Sequence, residues 1–303
     1  MKPLLIVNPA SAAGRTGRHF DAIARAVHGA VGEFEARFTR AVGDGKGLAL
    51  EACAAGHRLV VAVGGDGTAS EVVDGLTEAD YLGEFGFIPR GTGGDLRRSL
   101  GLPGDVVGAA RALALGAARD VDLGRVELTG HDGRAVVRHF VNVASCGISG
   151  AVVERVNRSS KVLGGLLSFK LASARALLGW QDQRIRWRVD GGPWTEQAIT
   201  ALAVCNGRWF GGGMMVAPEA RSDDGRLDVT VWSGFGLVDF IRQQPKLYDG
   251  RHVQLPNTRV LRAGSVELEP VGEAPVLLEL DGELPGRLPA RISVRPGALR
   301  LRG

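Results

Sequence analysis

The sequence of 303 residues is poor in cysteine and contains no long apolar run. Its three cysteines, Cys53, Cys146 and Cys205, are too few and too widely spaced for a disulfide framework or a zinc site. No apolar run approaches the ~20 residues that a membrane-spanning helix needs, and no signal peptide precedes the first apolar segment. These absences argue against a disulfide-stabilised secreted domain and an integral membrane protein, and they lead us to expect a cytoplasmic protein.

The charge balance is only mildly basic, with 37 Lys and Arg against 33 Asp and Glu and a formal charge of +4. This balance favours an anionic ligand or a membrane surface but is too weak to indicate nucleic acid, so we predict no nucleic-acid partner. Glycine is abundant, since its 45 residues are about twice the usual share and predict many tight turns. The sequence leaves the oligomeric state unknown.

The apolar pattern changes near residues 118–124. Before this point, strand-like and helix-like segments alternate, which calls for a parallel sheet covered by helices. After it, strand-like segments follow one another, with helical interruptions predicted over residues 151–180 and 237–248. We therefore predict an α/β domain over residues 1–120, to which a tail of about residues 290–303 returns, and a mainly antiparallel β domain over residues 121–289.

The most informative stretch is residues 59–71, an apolar run that ends in the loop Gly64-Gly65-Asp66-Gly67-Thr68. The run predicts a buried strand, and the glycines permit positive φ and a close approach by a ligand. Thr68 and Glu71 have the spacing of a capping box, which predicts that a helix opens there. A strand, a glycine turn and a helix N-terminus together favour phosphate binding, although a plain tight turn is the alternative. Asp66 could act beside the anion through a metal ion or a hydroxyl group.

Polar clusters also follow other predicted strands. Residues 8–11 and 91–95 come after strands of the first half, so three loops can meet a phosphate-bearing ligand at the carboxyl edge of the sheet. In the second half, the acidic turn around Asp224 could ligate Mg²⁺. Asp281 and Glu283 lie two residues apart at a strand end, where they could serve as a base or hold a metal. Taken alone, each of these two acidic patterns is better explained by an ordinary solvated turn.

Together these segments resemble the diacylglycerol kinase catalytic-domain family, which includes bacterial lipid kinases and the sphingosine and ceramide kinases. The resemblance runs in order through nearly the whole chain. Its motifs are Asn-Pro-x-Ser (residues 8–11), Gly-Gly-Asp-Gly-Thr (64–68), Pro-x-Gly-Thr (89–92), Asn-Gly (206–207), Gly-Gly-Gly-Met (211–214), Ala-Pro (217–218), Asp-Gly-x-Leu (224–227), Gly-Arg-His (250–252) and Asp-Gly-Glu (281–283). The central loop is also shared with NAD kinases and 6-phosphofructokinases, whereas its combination with the final Asp-Gly-Glu is more specific.

The resemblance implies a Rossmann-like α/β domain of the NAD kinase and diacylglycerol kinase type, followed by a mainly antiparallel β-sandwich-like domain. The first domain would bind the nucleotide, and the second would carry the lipid-substrate and metal sites. The implied activity is transfer of the γ-phosphate of ATP to a lipid hydroxyl, with diacylglycerol as the default acceptor and Mg²⁺ as a cofactor. Such an enzyme would contact the inner face of the membrane transiently, as a peripheral protein.

The resemblance also implies roles for individual residues. ATP would be held by Asn8, Thr39, Gly64, Gly65, Asp66, Gly67, Thr68, Ala69, Ser70 and Thr92. Mg²⁺ would be bound by the carboxylate of Asp224 and the backbone carbonyls of Arg221 and Arg226. Glu283 would accept the proton of the lipid hydroxyl, and Asp281 and Asp66 would complete the catalytic group.

Two positions depart from the family pattern, because the family usually has asparagine where this chain has Ser70 and Gly94. Ser70 keeps a hydroxyl, whereas Gly94 offers only its backbone. Two alternative functions stay open, the first because of the shared central loop and the second because of these two departures. One is an NAD kinase, which would share the central loop but not the Asp-Gly-Glu motif; the other is a catalytically silent regulator that binds lipid or nucleotide.

Overall fold

The computed structural model describes residues 1–91, 93–158, 175–176 and 178–303. Thr92 and most of the helix predicted over residues 151–180 lie outside these described residues. The chain divides into two compact units. Unit 1 comprises Met1–Asp122 together with Gly297–Gly303, and unit 2 comprises Leu123–Pro296.

Unit 1 is built on a parallel sheet whose strands alternate with helices, as predicted. Its elements are β1 (Leu4–Val7), α1 (Arg15–Arg18), α2 (Phe20–Val31), β2 (Glu35–Phe38), α3 (Asp44–Ala54), β3 (Leu59–Gly64), α4 (Asp66–Glu78), β4 (Glu84–Pro89), α5 (Asp95–Ser99), α6 (Val106–Leu115) and the start of β5 (Ala118–Gly130). The strands lie in the order β2-β1-β3-β4 and pair in parallel. Near the C-terminus, Leu301 pairs in parallel with Phe85 of β4.

The strands β1, β3 and β4 of this sheet are buried on both faces, which explains why they are mostly apolar, whereas the edge strand β2 is partly exposed. Leu5 and Val7 of β1 belong to a cluster that also contains residues of α2 and α6. Leu4 and Ile6 point to the opposite face because side chains alternate along a strand, and they are equally buried. In these buried strands, polar side chains that could meet a ligand are therefore confined to the strand ends.

Unit 2 is a mainly antiparallel β domain. Its elements are the rest of β5, β6 (Ala135–Phe140), β7 (Val143–Gly147), α7 (Ile148–Arg158), β8 (Gln183–Val189), β9 (Thr195–Ile199), β10 (Ala201–Cys205), β11 (Trp209–Phe210), β12 (Met214–Met215), β13 (Leu227–Trp232), α8 (Leu237–Asp249), a 3-10 helix (Arg251–Gln254), β14 (Thr258–Ala263), β15 (Ser265–Pro270), β16 (Leu277–Leu280) and β17 (Glu283–Arg302), whose last residues belong to unit 1. The strands β14-β13-β10-β7-β16-β17 are neighbours in this order, with antiparallel pairing.

The central strands of unit 2 are also covered on both faces. Leu202 and Val229 face a large cluster that includes Trp187 of β8. On the other face, Trp232 packs in a second cluster with Leu247 of α8. This arrangement confirms the antiparallel fold predicted for the second half. Among the helices that the structure describes, none combines the length and the apolar character required to cross a bilayer.

Candidate active site

Unit 1 brings three of its loops to one edge of the parallel sheet. Val7 pairs with both Phe38 and Val63, which places the ends of β1, β2 and β3 at the same level. Asn8 and Thr39, the residues that follow β1 and β2, therefore leave the sheet beside the start of the glycine loop. The register thus groups the residues predicted to hold ATP at the carboxyl edge, where parallel sheets bind their ligands.

The glycine loops after β3 and β4 pack backbone against backbone. A Cβ atom on Gly91 would lie 2.8 Å from the Cα of Gly65. A Cβ atom on Gly64 would lie 2.6 Å from Oγ1 of Thr68. Both distances are too short for a side chain, so this packing requires glycine at positions 64 and 91.

Helix α4 begins at Asp66, with Gly65 as its N-cap. The capping box predicted between Thr68 and Glu71 is therefore wrong, because Thr68 already lies in the first turn of the helix. Its hydroxyl instead accepts a hydrogen bond from Nδ2 of Asn8 at 3.0 Å. This bond joins the loop after β1 to the N-terminus of α4, whose first-turn N–H groups are suited to bind an anion.

Glu71 has a different role from the predicted one. Its carboxylate accepts hydrogen bonds from the backbone amides of Gly43 and Gly45, at 2.9 and 3.0 Å. These amides lie at the start of α3, so Glu71 holds the N-terminus of α3 against α4. The negative charge is also favourable there because it faces the positive end of the α3 dipole.

Asp66 connects the two glycine loops. Its Oδ2 accepts a hydrogen bond from the backbone amide of Asp95, the first residue of α5, at 2.9 Å. The preceding residue, Gly94, has a φ of 67°, in the left-handed region that glycine and asparagine adopt most readily. Gly94 therefore has a backbone conformation that asparagine also tolerates, but it offers no side chain to the loop.

The predicted ATP residues differ in what they can offer a ligand. Gly65, Asp66 and Gly67 are partly exposed, whereas Ala69 and Ser70 are buried in α4. Thr39 and Thr68 are also buried, and Thr92 lies outside the described residues. Contacts from this loop to a nucleotide would therefore come mainly from the backbone of the partly exposed residues.

In unit 2, a two-residue turn of Asp281 and Gly282 joins β16 to β17. Their φ values of 48° and 93° fit a type I′ hairpin, for which Asp-Gly is a preferred sequence. The Asp281 carboxylate accepts hydrogen bonds from the three successive backbone amides of residues 141–143, at 2.9, 3.1 and 2.9 Å. Asp281 thus anchors the turn to the segment between β6 and β7 and fixes the start of β17.

Glu283, the predicted proton acceptor, is the first residue of β17. Its Oε2 accepts a hydrogen bond from Nη2 of Arg138 in β6 at 3.0 Å. The two side chains are 28% and 24% exposed, so a substrate can still approach the carboxylate. The guanidinium neutralises the charge of Glu283 and orients it. The sequence pattern missed Arg138, because nothing local relates two residues that lie 145 positions apart.

A second carboxylate lies buried beneath the same turn. Glu279 accepts hydrogen bonds from the Gly282 amide and the Ser145 hydroxyl. Burial raises the pKa of Glu279 from its ordinary value of 4.5 to about 7, which the two hydrogen bonds oppose. The sequence indicated acidic residues at this strand end but assigned no role to Glu279.

This raised pKa predicts how stability depends on pH. Between about pH 4.5 and about pH 7, Glu279 of the unfolded chain releases a proton that Glu279 of the folded protein keeps. The contribution of this group to the stability of the fold therefore falls as the pH rises. Glu279→Gln, which can donate to Ser145 and accept from Gly282, should remove this loss and raise Tm at mildly alkaline pH. Thermal unfolding from about pH 4.5 to mildly alkaline pH measures both effects. A Tm curve for the variant that stays parallel to the wild-type curve would contradict the prediction.

The predicted metal ligands lie in the turn that precedes β13. Asp224 Oδ1 accepts a hydrogen bond from the Arg226 amide at 3.0 Å, and Oδ2 accepts one from Nη2 of Arg262. Within the described parts of the chain, no three His, Cys, Asp or Glu side chains are grouped to hold a metal ion. A resident Mg²⁺ would have to share its one carboxylate ligand with a guanidinium, so this arrangement does not fit the ion.

A parallel α/β unit with a glycine loop at a helix N-terminus, followed by an antiparallel β unit, defines the fold class of diacylglycerol and NAD kinases. Residues 2–126 match the model of the diacylglycerol kinase catalytic domain. Residues 142–303 match that of the YegS C-terminal NAD kinase beta sandwich-like domain. The chain belongs to the diacylglycerol kinase family, which confirms the predicted resemblance and the prediction of a kinase.

Individual relatives agree with this assignment. A diacylglycerol kinase from Mycobacterium tuberculosis is 30% identical over 311 aligned positions, which cover 99% of this chain and 94% of the relative. A protein from Pseudomonas aeruginosa named "Probable lipid kinase YegS-like" is 34% identical over 271 aligned positions, which cover 89% of this chain and 84% of the relative.

Solved structures support the fold class alone, because their identities to this chain are low. A diacylglycerol kinase structure from Bacillus anthracis has a TM-score of 0.74 at 23% identity and covers 99% of this chain and 96% of its own. The structure of a yeast NADH kinase has a TM-score of 0.52 at 12% identity, and the alignment covers 99% of this chain and 82% of the yeast chain. The predicted fold class is confirmed, and the likeness to NAD kinases is limited to the fold.

Proposed function

We propose that the protein is a lipid kinase that transfers the γ-phosphate of ATP to a lipid hydroxyl, with diacylglycerol as the acceptor. The observation that carries this proposal is the partly exposed Glu283 carboxylate, which Arg138 and the anchored Asp281 turn hold in a defined position. The names of the relatives from M. tuberculosis and P. aeruginosa support a lipid as the acceptor.

The residues of unit 1 suit the phosphate-donor side of the reaction. Phosphoryl transfer needs positioning and neutralisation of charge more than covalent help from the protein. The partly exposed backbone from Gly65 to Gly67 and the dipole of α4 would stabilise the phosphates of MgATP. Asn8 and Asp66 support this role because their hydrogen bonds hold the neighbouring loops around the N-terminus of α4.

The residues of unit 2 suit the acceptor side. A carboxylate within hydrogen-bond reach of an alcohol can orient it and accept its proton as the new O–P bond forms. In this proposal Glu283 Oε accepts the proton of the lipid hydroxyl, and Arg138 keeps the carboxylate in place. Asp281 acts as a positioning residue, since its two oxygens are already engaged by the three amides of residues 141–143.

Transient membrane contact is part of the same proposal, and helix α8 offers support for it. Val238 and Ile241 are 59% and 65% exposed and lie three residues apart, with the exposed Arg242 next to them. Exposed apolar side chains beside a basic residue suit the surface of an anionic membrane. We expect the double variant Val238→Asp, Ile241→Asp to bind anionic vesicles several-fold more weakly in a flotation assay. Equal binding by the wild type and the variant would contradict a role for α8.

The function itself is tested with labelled ATP, Mg²⁺ and a panel of lipids in mixed micelles. Labelled phosphate should appear on diacylglycerol, and Glu283→Gln should abolish most of the incorporation. If no lipid is labelled but NADP forms from NAD, the protein is an NAD kinase. If ATP binds but its phosphate is not transferred to any acceptor, the protein is the catalytically silent regulator.

A further inference from the structure

Arg262 of β14 lies between two carboxylates of unit 2. It is the direct cross-strand partner of Asp228 in β13, and its Nε lies 3.9 Å from Asp228 Oδ2. Its Nη2 donates to Asp224 Oδ2, in the turn before β13. One guanidinium therefore faces a strand carboxylate through one nitrogen and a turn carboxylate through another, which its rigid fork of donors allows.

The two carboxylates differ in their need for a cation. Asp228 is 1% exposed, and the guanidinium of Arg262 faces its carboxylate from the neighbouring strand. The Asp224 side chain is 19% exposed, and its second oxygen accepts from the Arg226 amide. A carboxylate as deeply buried as that of Asp228 requires a positive partner or hydrogen bonds. The strand register places Arg262 opposite it.

We infer that Arg262 is the built-in cation of this acidic turn and takes the place where the resemblance puts Mg²⁺. A divalent ion on Asp224 would lie close to the half-exposed guanidinium of Arg262, and the two positive charges would repel each other. Unit 2 therefore completes its fold without a divalent cation. The Mg²⁺ that enters with ATP belongs to the substrate and is outside this inference.

The test is thermal unfolding without ATP or lipid, in excess EDTA and in millimolar Mg²⁺ at matched ionic strength. The wild-type Tm should be the same in both solutions. Arg262→Gln should lower Tm by roughly 5 °C in EDTA, because Asp228 loses its cation, and Mg²⁺ should restore part of this loss. Arg184→Gln is the matched control: it breaks an ion pair with Glu196 in the same unit and should gain no response to Mg²⁺.

Two results would overturn the inference. One is a wild-type Tm that rises with Mg²⁺ and stops doing so in Asp224→Asn; the other is an Arg262→Gln protein that folds but does not respond to Mg²⁺. If Arg262→Gln does not fold, Mn²⁺ binding to the wild type by electron paramagnetic resonance decides instead. We expect no Mn²⁺ bound at Asp224, and binding that Asp224→Asn abolishes would refute the inference. Because no substrate is present, these outcomes are independent of the proposed kinase reaction.

Discussion

Glu283→Gln is expected to lower kcat for lipid phosphorylation by roughly 10²- to 10⁴-fold, the usual contribution of a general base. The amide has nearly the shape of the carboxylate and can still accept a hydrogen bond from Arg138. It cannot take up the proton of the hydroxyl at neutral pH. Initial rates with labelled ATP and saturating diacylglycerol measure the effect, and ATP affinity, which depends on unit 1 in the proposal, should stay unchanged.

Glu196→Gln is the matched control for this substitution. Glu196 is also a glutamate of unit 2 that pairs with an arginine, Arg184, but its side chain is 48% exposed and lies on β9. We expect its kcat to equal that of the wild type. If Glu283→Gln turns over as fast as Glu196→Gln, Glu283 is not the proton acceptor and the acceptor side of the proposal fails.

The parts of the molecule that depend on local pattern could be predicted from the sequence. The apolar runs of β1 and β3 predict strands that are buried on both faces. Helical segments between successive strands predict that these strands pair in parallel. The loop from Gly64 to Thr68 comes directly after such a strand in the sequence, so its position at the carboxyl edge of the sheet was predictable as well. The Asp-Gly turns at Asp190 and Asp281 are likewise local signals for hairpins.

Contacts between distant residues could not be predicted, because they depend on strand register. Thr68 and Glu71 have the local spacing of a capping box, yet Thr68 bonds to Asn8, which lies 60 residues away. No sequence pattern near Glu283 predicts its hydrogen bond with Arg138. Whether a side chain faces a partner depends on how two strands align, and a shift of one residue would turn it to the other face.

The acidic turn at Asp224 illustrates the same limit with a chemical consequence. Its composition suits Mg²⁺, and the resemblance assigns the ion to it. The cross-strand pairing of Asp228 with Arg262 brings a guanidinium to the same carboxylates. A motif of ligands therefore does not define a metal site until the charges on the neighbouring strand are known.

Asp281→Ala is expected to destabilise unit 2 by about 3 kcal/mol, because three partly buried backbone amides lose their acceptor at a cost of about 1 kcal/mol or more each. Asp281→Asn should have a smaller effect, since one amide oxygen remains to accept. Asparagine also tolerates the positive φ of the turn. Urea unfolding monitored by tryptophan fluorescence measures both losses.

Activity distinguishes this turn from a similar one elsewhere in unit 2. Asp190 also has a φ of 48° at an Asp-Gly hairpin, and its carboxylate accepts from the amides of Gly264 and Ser265 at 2.9 and 2.8 Å. Asp190→Asn should therefore lose stability but keep its kcat at temperatures where it is folded. Asp281→Asn should lose more than tenfold in kcat under the same conditions, because Glu283 lies two residues beyond the anchor and small displacements of a catalytic group are costly. Equal kcat values for the two folded variants would show that the anchor at Asp281 serves stability alone and does not position Glu283.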